Sequence, residues 1–196
     1  MEKKCSSKYL ALFTLILTIV LPLQLFAADE YRIDPVHSSV LFKIKHLGIS
    51  NIYGKFADFR GALKIDQENP TKNSIEAYVP AQSIDTHTHN RDTHIRSPNY
   101  LDERKFSNVT FRSNSWKKID KDIFAVAGDL TLLGITRPLK VKLVQTGSGN
   151  DPWGGYRIGF ETSFSIERND FKMEKMQKTV GGTIYITVSI EAVRKE

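Results

Sequence analysis

The chain of 196 residues has a single cysteine, Cys5. A lone thiol excludes a disulfide-knit scaffold, a cysteine-rich zinc module and a CxxCH haem attachment site. No GxSxG elbow, HExxH helix, glycine-rich phosphate loop or dinucleotide fingerprint occurs, so the usual signs of hydrolase, zinc-protease and nucleotide chemistry are missing. Internal repeats, low-complexity tracts and a linker that would divide two domains are also lacking. Charge is not extreme: 28 Lys+Arg stand against 22 Asp+Glu, a formal +6. What is present suits one folded domain. Hydrophobic residues make up 40% and charged residues 26%, which excludes a disordered or collagen-like chain. With 11 Phe and 7 Tyr, there is aromatic mass for a large core.

The first 28 residues read as an address. Lys3, Lys4 and Lys8 precede an apolar run over 10–21, which Pro22 and Gln24 interrupt before Phe26-Ala27-Ala28. A positive start, a short apolar middle and a small-residue end are the parts of a secretory signal peptide. Its cleavage site is imperfect, because cutting after Ala28 or Ala27 puts Phe26 or Leu25 where a small residue is preferred. The alternative is an uncleaved anchor, since residues 9–28 are long enough to cross a bilayer. Residues 29–196 then form one domain. Cleavage removes Cys5, and a thiol-free exported chain fits an oxidising compartment, here a bacterial periplasm or the cell exterior.

Without residues 1–28 the balance is 25 against 21, or +4. That mild excess, with no clustered basic stripe, argues against nucleic acid as a partner. Lys43/Lys45 and Lys140/Lys142 each share one face of a strand-like segment. The plainer account of both pairs is a solvated outer face; the functional one is weak attraction to an anionic membrane surface.

Alternation dominates the rest of the chain. Val40, Phe42 and Ile44 oppose Lys43 and Lys45. Further apolar rows are Phe59, Gly61, Leu63 and Ile65; Ile75, Ala77 and Val79; Val109 and Phe111; and Phe124, Val126, Leu130 and Leu132. Three more follow: Leu139, Val141 and Leu143; Ile158, Phe160, Phe164 and Ile166; and Ile184, Ile186, Val188 and Ile190. Polar loops over 66–70, 134–138 and 147–152 separate them. About eight strands spaced in this way predict an all-β antiparallel sandwich or barrel. Residues 85–102 do not alternate. Asp85 or Thr86 is placed to cap a short helix there, with Thr88, Arg91 and Asp92 in its first turns and Pro98 limiting it.

Eight closed strands leave an interior that side chains fill or that holds one small ligand, and periodicity does not distinguish the two. The inward rows nearly lack charge, so any cargo has to be apolar. Candidate polar sites are weak one by one. His87, His89 and His94 have a spacing that suits a metal, but no cysteine completes the set and an exposed polar helix accounts for them as well. His37 and Ser38 are sequence neighbours on an extended stretch and point to opposite faces, which disfavours a nucleophile–base pair. No metal, cofactor or catalytic residue is expected.

The motifs taken in order resemble the YceI-like family of secreted, lipocalin-like polyisoprenoid-binding proteins. They begin with Asp34-Pro35-Val36-His37-Ser38-Ser39-Val40-Leu41-Phe42, Lys45-His46-Leu47-Gly48 and Tyr53-Gly54-Lys55-Phe56. Ser83-Ile84-Asp85-Thr86 and Arg91-Asp92-Thr93-His94-Ile95-Arg96-Ser97 follow. The set ends with 128–138, from Gly128-Asp129 to Arg137-Pro138, and Ile166-Glu167-Arg168-Asn169-Asp170-Phe171. Departures from the family pattern are Ser107 where proline is usual, Lys172 where glycine is usual, and Gly182-Thr183 where an acidic residue is usual. The hairpin around 171–182 is therefore the least defined part, and Met173 and Met176 either line a pore mouth or pack under a loop.

The resemblance implies an extended, eight-stranded, antiparallel, lipocalin-like barrel with a short helix, and an apolar pore for an isoprenoid lipid or quinone. It implies a periplasmic binding role without catalysis; homodimerisation is left open. The pore would be lined by the inward rows: Val40, Phe42, Ile44, Leu63, Ile75, Val79, Phe111, Val126, Leu130, Leu132, Val141, Leu143, Ile158, Phe160, Phe164, Ile184, Ile186 and Val188. A charge at Phe160 or Val126 is expected to abolish ligand retention. His37, Arg91, Asp92 and His94 fit the family pattern, either as a polar network tying helix to barrel or as contacts to a ligand head group. A ligand-free structural or stress-related protein with a filled core is the rival reading, and a histidine-based metalloprotein is a weaker one.

Overall fold

The computed structural model describes residues 28–195. The expected leader, apart from Ala28, lies outside the described residues. The strands are β1 (Asp29–Ile33), β2 (Ser39–His46), β3 (Ser50–Phe56), β4 (Arg60–Ile65), β5 (Ser74–Pro80) and β6 (Ile84–Asp85). After helix α1 (His89–Arg96) come β7 (Asn108–Asp120), β8 (Ile123–Leu132), β9 (Ile135–Asn150), β10 (Tyr156–Glu167) and β11 (Val180–Arg194). All pairings are antiparallel.

The sheet closes on itself. Strands β4, β5, β7, β8, β9, β10 and β11 follow one another, and β1 pairs with both β4 and β11, giving a ring of eight. Strand β11 is long enough to hold two partners in line: Ala192–Arg194 pair with β1, and Ser189 back to Val180 pair with β2. In the same way β3 precedes β4, and β6 follows β5. Three of the eight positions are thus interrupted strands, and the interruptions extend the barrel at one end.

Eight of the eleven strands carry the apolar rows read from the sequence; β1, β3 and β6 are the ones that alternation does not reveal. Strand β1 offers only Tyr31 and Ile33 as buried residues, and β6 is two residues long. In β3 the inward row passes through Gly54, which breaks the apolar signal. A β-carbon at Gly54 would overlap the Phe42 ring, so glycine is required by the close approach of β2.

Two loops are shorter than their composition predicts. Gly147 to Asn150 belong to β9, and the turn is confined to the residues that follow. Strands β8 and β9 are joined by Leu133 and Gly134 alone, both left-handed (φ 55° and 71°), which is the twist a two-residue hairpin needs. Pro138 therefore sits inside β9, opposite Asp129. It is tolerated because the β9–β10 ladder ends at Val144 and Glu161, so this part of β9 has no second partner. Side chains span the seam instead: Thr162 Oγ1 donates to the Lys142 carbonyl (2.9 Å), and Arg137 Nε donates to the Asp170 carbonyl (3.1 Å).

Helix α1 begins later than expected, with Thr88 at its N-cap and not Asp85 or Thr86. It buries no residue of its own. Its attachment is largely polar, through Thr86 as described below, with Ile95 partly buried against the apolar cluster at the mouth.

The far end of the barrel, where β7 meets β8 and β9 meets β10, is packed solid. Trp116, Phe124 and Phe160 meet there with ring centroids 5.7 to 6.4 Å apart, at tilted or edge-on angles. Tyr31, Leu63 and Ile158 pack with them at no more than 1% exposure. Aromatic quadrupoles favour this edge-on arrangement over stacking.

Candidate ligand cavity

Towards the other end the same inward rows fail to meet. Phe42, Ile44, Phe111, Val141, Phe164, Ile184, Ile186 and Val188 point into the barrel, yet each remains only half-buried. Apolar residues that face inward without becoming buried mark a hollow. The hollow is an open-mouthed cavity of about 490 Å³, within the range of small-molecule sites.

Of the eighteen residues expected at the pore, fifteen line this cavity: Val40, Phe42, Ile44, Ile75, Val79, Phe111, Val126, Leu130, Leu132, Val141, Leu143, Phe164, Ile184, Ile186 and Val188. Leu63, Ile158 and Phe160 do not. They are 1% exposed and belong to the solid far end, so Phe160 supports the floor and does not face the lumen. Periodicity assigns a side chain to the inside of a barrel, but it carries no information on depth along the axis.

A second cluster closes part of the mouth. Phe171 and Met173 pack with Ala81, Ile84, Leu101, Leu130 and Leu132. Met173 is both buried and part of the cavity wall, while Met176 lines the wall and is half exposed. The turn Arg168–Phe171 ends on Lys172, whose left-handed backbone (φ 57°) is the conformation that favours glycine. The departure from the family pattern at this position thus places a lysine where the backbone asks for no side chain.

The polar residues at the mouth divide into separate groups. Thr86, 2% exposed, is the centre of one. Asp92 accepts from its N–H (2.9 Å) and hydroxyl (2.6 Å), while Arg91 donates to its hydroxyl (2.7 Å) and carbonyl (2.6 Å). These bonds tie α1 to the end of β6. Arg91 and His94 also reach the cavity wall, and His94 meets Tyr100 edge-on at 4.9 Å.

His37 is not part of this group. It lies on the outside of the barrel, where Nδ1 is 2.9 Å from Asp34 and 3.8 Å from Glu191. Arg157 completes the arrangement, donating to Asp34 (2.8 Å), Asp151 (2.7 Å) and Glu191 (2.6 Å). Asp34, His37 and Glu191 have the spacing of a cation site, but a guanidinium already bridges the two carboxylates. Ser38 is engaged elsewhere, exchanging hydrogen bonds with the Glu191 backbone. The cluster pins the break between β1 and β2 to β10 and β11. Only the Asp34/His37 part of it was local enough to be visible in the sequence.

This cluster has a pH signature. Hydrogen bonds from His37, Arg157 and the Val36 amide hold Asp34 well below the usual carboxylate range. Arg157 and the Gly155 and Trp153 amides lower Asp151 as well. The unfolded chain binds these protons near the ordinary value of 3.8, the folded chain only at lower pH. The stability they contribute is therefore complete above that value and is lost as the pH falls below it towards the folded values. Thermal unfolding followed from neutral pH into acid should show a melting temperature that drops below about pH 4. Asp34→Asn should flatten that drop, and an unchanged acid limb would remove the cluster from the account of stability.

Sequence reasoning missed Arg168. Its side chain is 3% exposed, lines the cavity and donates to the carbonyls of Lys175 (2.5 Å), Val180 (3.2 Å) and Gly181 (3.3 Å). Burial pushes its guanidinium below its ordinary value. It clamps the segment between β10 and β11 over the mouth. The residue was visible within a family motif, but its partners are formed by backbone, which carries no sequence signal.

Three comparisons place the chain among known proteins. A UPF0312 protein of Yersinia enterocolitica is 40% identical over 169 residues, which span 85% of this chain and 88% of that one. Among solved structures, Burkholderia cenocepacia BcnA matches with a TM-score of 0.73 at 18% identity, covering 81% of this chain and 98% of that one. A polyisoprenoid binding domain from Saccharophagus degradans, implicated in plant cell wall breakdown, matches with a TM-score of 0.67 at 12% identity, covering 86% and 99%. At these identities the two structures are likenesses of fold. The family model for the YceI-like domain matches residues 31–192, nearly the whole of the barrel, and the chain belongs to the YceI-like family.

Proposed function

We propose that the chain binds an isoprenoid lipid, a polyprenyl chain or an isoprenoid quinone, in the barrel cavity, and stores or carries it in the periplasm without catalysing a reaction. The observation that carries this reading is the row of apolar side chains that face inward and stay half-buried. Such a surface favours a guest with no polar demands along its length. A core filled by its own side chains accounts for the far end only. The polyisoprenoid binding described for the Saccharophagus degradans domain of like fold supports the choice of ligand class.

The energetics suit a long flexible guest. Each five-carbon unit gains roughly 4 kcal/mol gross at about 0.8 kcal/mol per carbon group buried. After ordering costs, roughly 1.5 kcal/mol per unit remains at the efficiency of a drug-sized ligand. Several units give tight binding with no decisive residue, so trimming one wall residue weakens binding modestly. Arg91, His94 and Arg168 stand at the mouth, where a quinone or phosphate head would lie.

Organic extraction of the purified protein followed by mass spectrometry tests the reading. The expected result is an isoprenoid in near-stoichiometric amount. Protein that yields none, and that takes up none when offered polyprenyl chains or quinones in detergent, would remove the carrier role.

A further inference from the structure

The mouth of the cavity is ringed by an exposed surface that the binding role does not use. The tip joining β2 to β3 and the connection from β10 to β11 lie side by side, tied by the Leu47 amide donating to the Thr179 carbonyl (2.7 Å). Ile49 is 81% exposed on the first, and Met176 is 48% exposed on the second. Leu47, also exposed, stands between them. Three apolar side chains therefore project into solvent beside an apolar cavity whose wall includes Met176 itself.

The two segments that carry these projections have a strong excess of positive charge. Residues 43–56 and 172–182 contain Lys43, Lys45, Lys55, Lys172, Lys175 and Lys178, with Glu174 as their one acid. This local excess is larger than the +4 of residues 29–196 taken together, so the rest of the barrel is close to neutral. Lys55 lies 3.9 Å from Asp85, and Lys43 sits over the Tyr185 ring at 5.1 Å. Among the described residues, the lysines paired with carboxylates are Lys55, Lys64, Lys72 and Lys195, and none of these is in the β10–β11 connection. The opposite end has Lys117, Lys118 and Lys121, interleaved with Asp120 and Asp122.

We propose that this rim is a docking surface for a bilayer containing anionic phospholipids, with Leu47, Ile49 and Met176 entering the interface and the lysines meeting lipid phosphates. Apolar tips set among lysines form the amphipathic pattern of interfacial segments. Docking in this orientation puts the cavity mouth against the lipid and excludes water from the passage between them. Such docking is a property of the rim and is independent of what the cavity holds.

The test places a fluorescent reporter at the rim of the full chain: Ile49→Trp in a Trp153→Phe background. Trp153, exposed at the far end, reports the opposite pole in the parent protein. Vesicles of brominated phosphatidylglycerol and phosphatidylcholine should quench the rim reporter and leave Trp153 unquenched. Brominated phosphatidylcholine alone should quench neither. Each lysine near an anionic surface contributes about a factor of five in affinity. Lys172→Gln, Lys175→Gln and Lys178→Gln together should therefore raise the lipid concentration at half-quenching by about 100-fold. Lys117→Gln, Lys118→Gln and Lys121→Gln together should leave it unchanged. The apolar residues before position 29 are common to every variant, so they do not produce the difference. Equal quenching by neutral and anionic vesicles, absence of rim quenching, or an unmoved midpoint in the rim triple variant would each overturn the proposal. Isoprenoid extracted from the same variants reports cavity binding separately.

Discussion

A carboxylate introduced halfway along the cavity should empty it. Ile186 points inward on β11, paired with Phe42 of β2 on one side and Phe164 of β10 on the other. It is only half-buried, so Ile186→Asp leaves a charge that the open lumen can hydrate and a barrel that still folds. A guest chain in that lumen would strip the water away. An unpaired carboxylate resists such desolvation strongly, by several kcal/mol even after relaxation. Retention of isoprenoid should fall by at least 100-fold, while Ile186→Ala, which only removes contact, should cost about tenfold or less. Val126→Asp makes the same test at the floor, where Val126 is 2% exposed and pairs with Trp116, and should lower stability as well. Unchanged ligand content in folded Ile186→Asp would place the guest elsewhere.

Trp116→Ala should produce the largest loss of stability. Trp116 is 2% exposed, meets Phe124 and Phe160, and donates from Nε1 to Ser113 Oγ (3.0 Å), which in turn accepts from the Ile75 amide (2.9 Å). Removing the indole from a close-packed site costs about 3–5 kcal/mol, and its surroundings relax only in part. Here the vacated space adjoins a cavity and should join it. Urea unfolding measures the first effect, and the chain length of extracted isoprenoid the second, with longer guests expected. Trp116→Phe keeps most of the packing and gives up the hydrogen bond, so it should cost about 1–2 kcal/mol. A loss under about 1 kcal/mol in Trp116→Ala would mean that the far end is not close-packed.

Much of the fold was legible because a barrel wall has two unlike faces. Strand β8 buries Phe124, Val126, Leu130 and Leu132 in strict alternation, and the sequence shows that period directly. The breaks were less visible. Two residues suffice for β6, and Gly54 hides the phase of β3 because a neighbouring ring occupies the space of its side chain. The cavity itself was only partly legible. Phe160 and Phe164 share one face of β10, yet the first is sealed among aromatics and the second borders empty space. That difference arises from how far the opposite walls stand apart, a property of the closed ring and not of any segment. His37 was grouped with Arg91, Asp92 and His94 because all four fit the family pattern, whereas Arg157 and Glu191, more than a hundred residues away, decide where it goes.

The aromatic plug gives the barrel a polarity. A tube open at both poles accepts a thread in either sense, but a blind one admits it in a single sense. With a greasy terminus seated against Val126 and Leu143, which rest on that plug, any hydrophilic terminus stays among Arg91, His94 and Arg168 at the entrance. Guests too long for the sleeve then overhang at that pole alone, and their excess length emerges beside Ile49 and Met176.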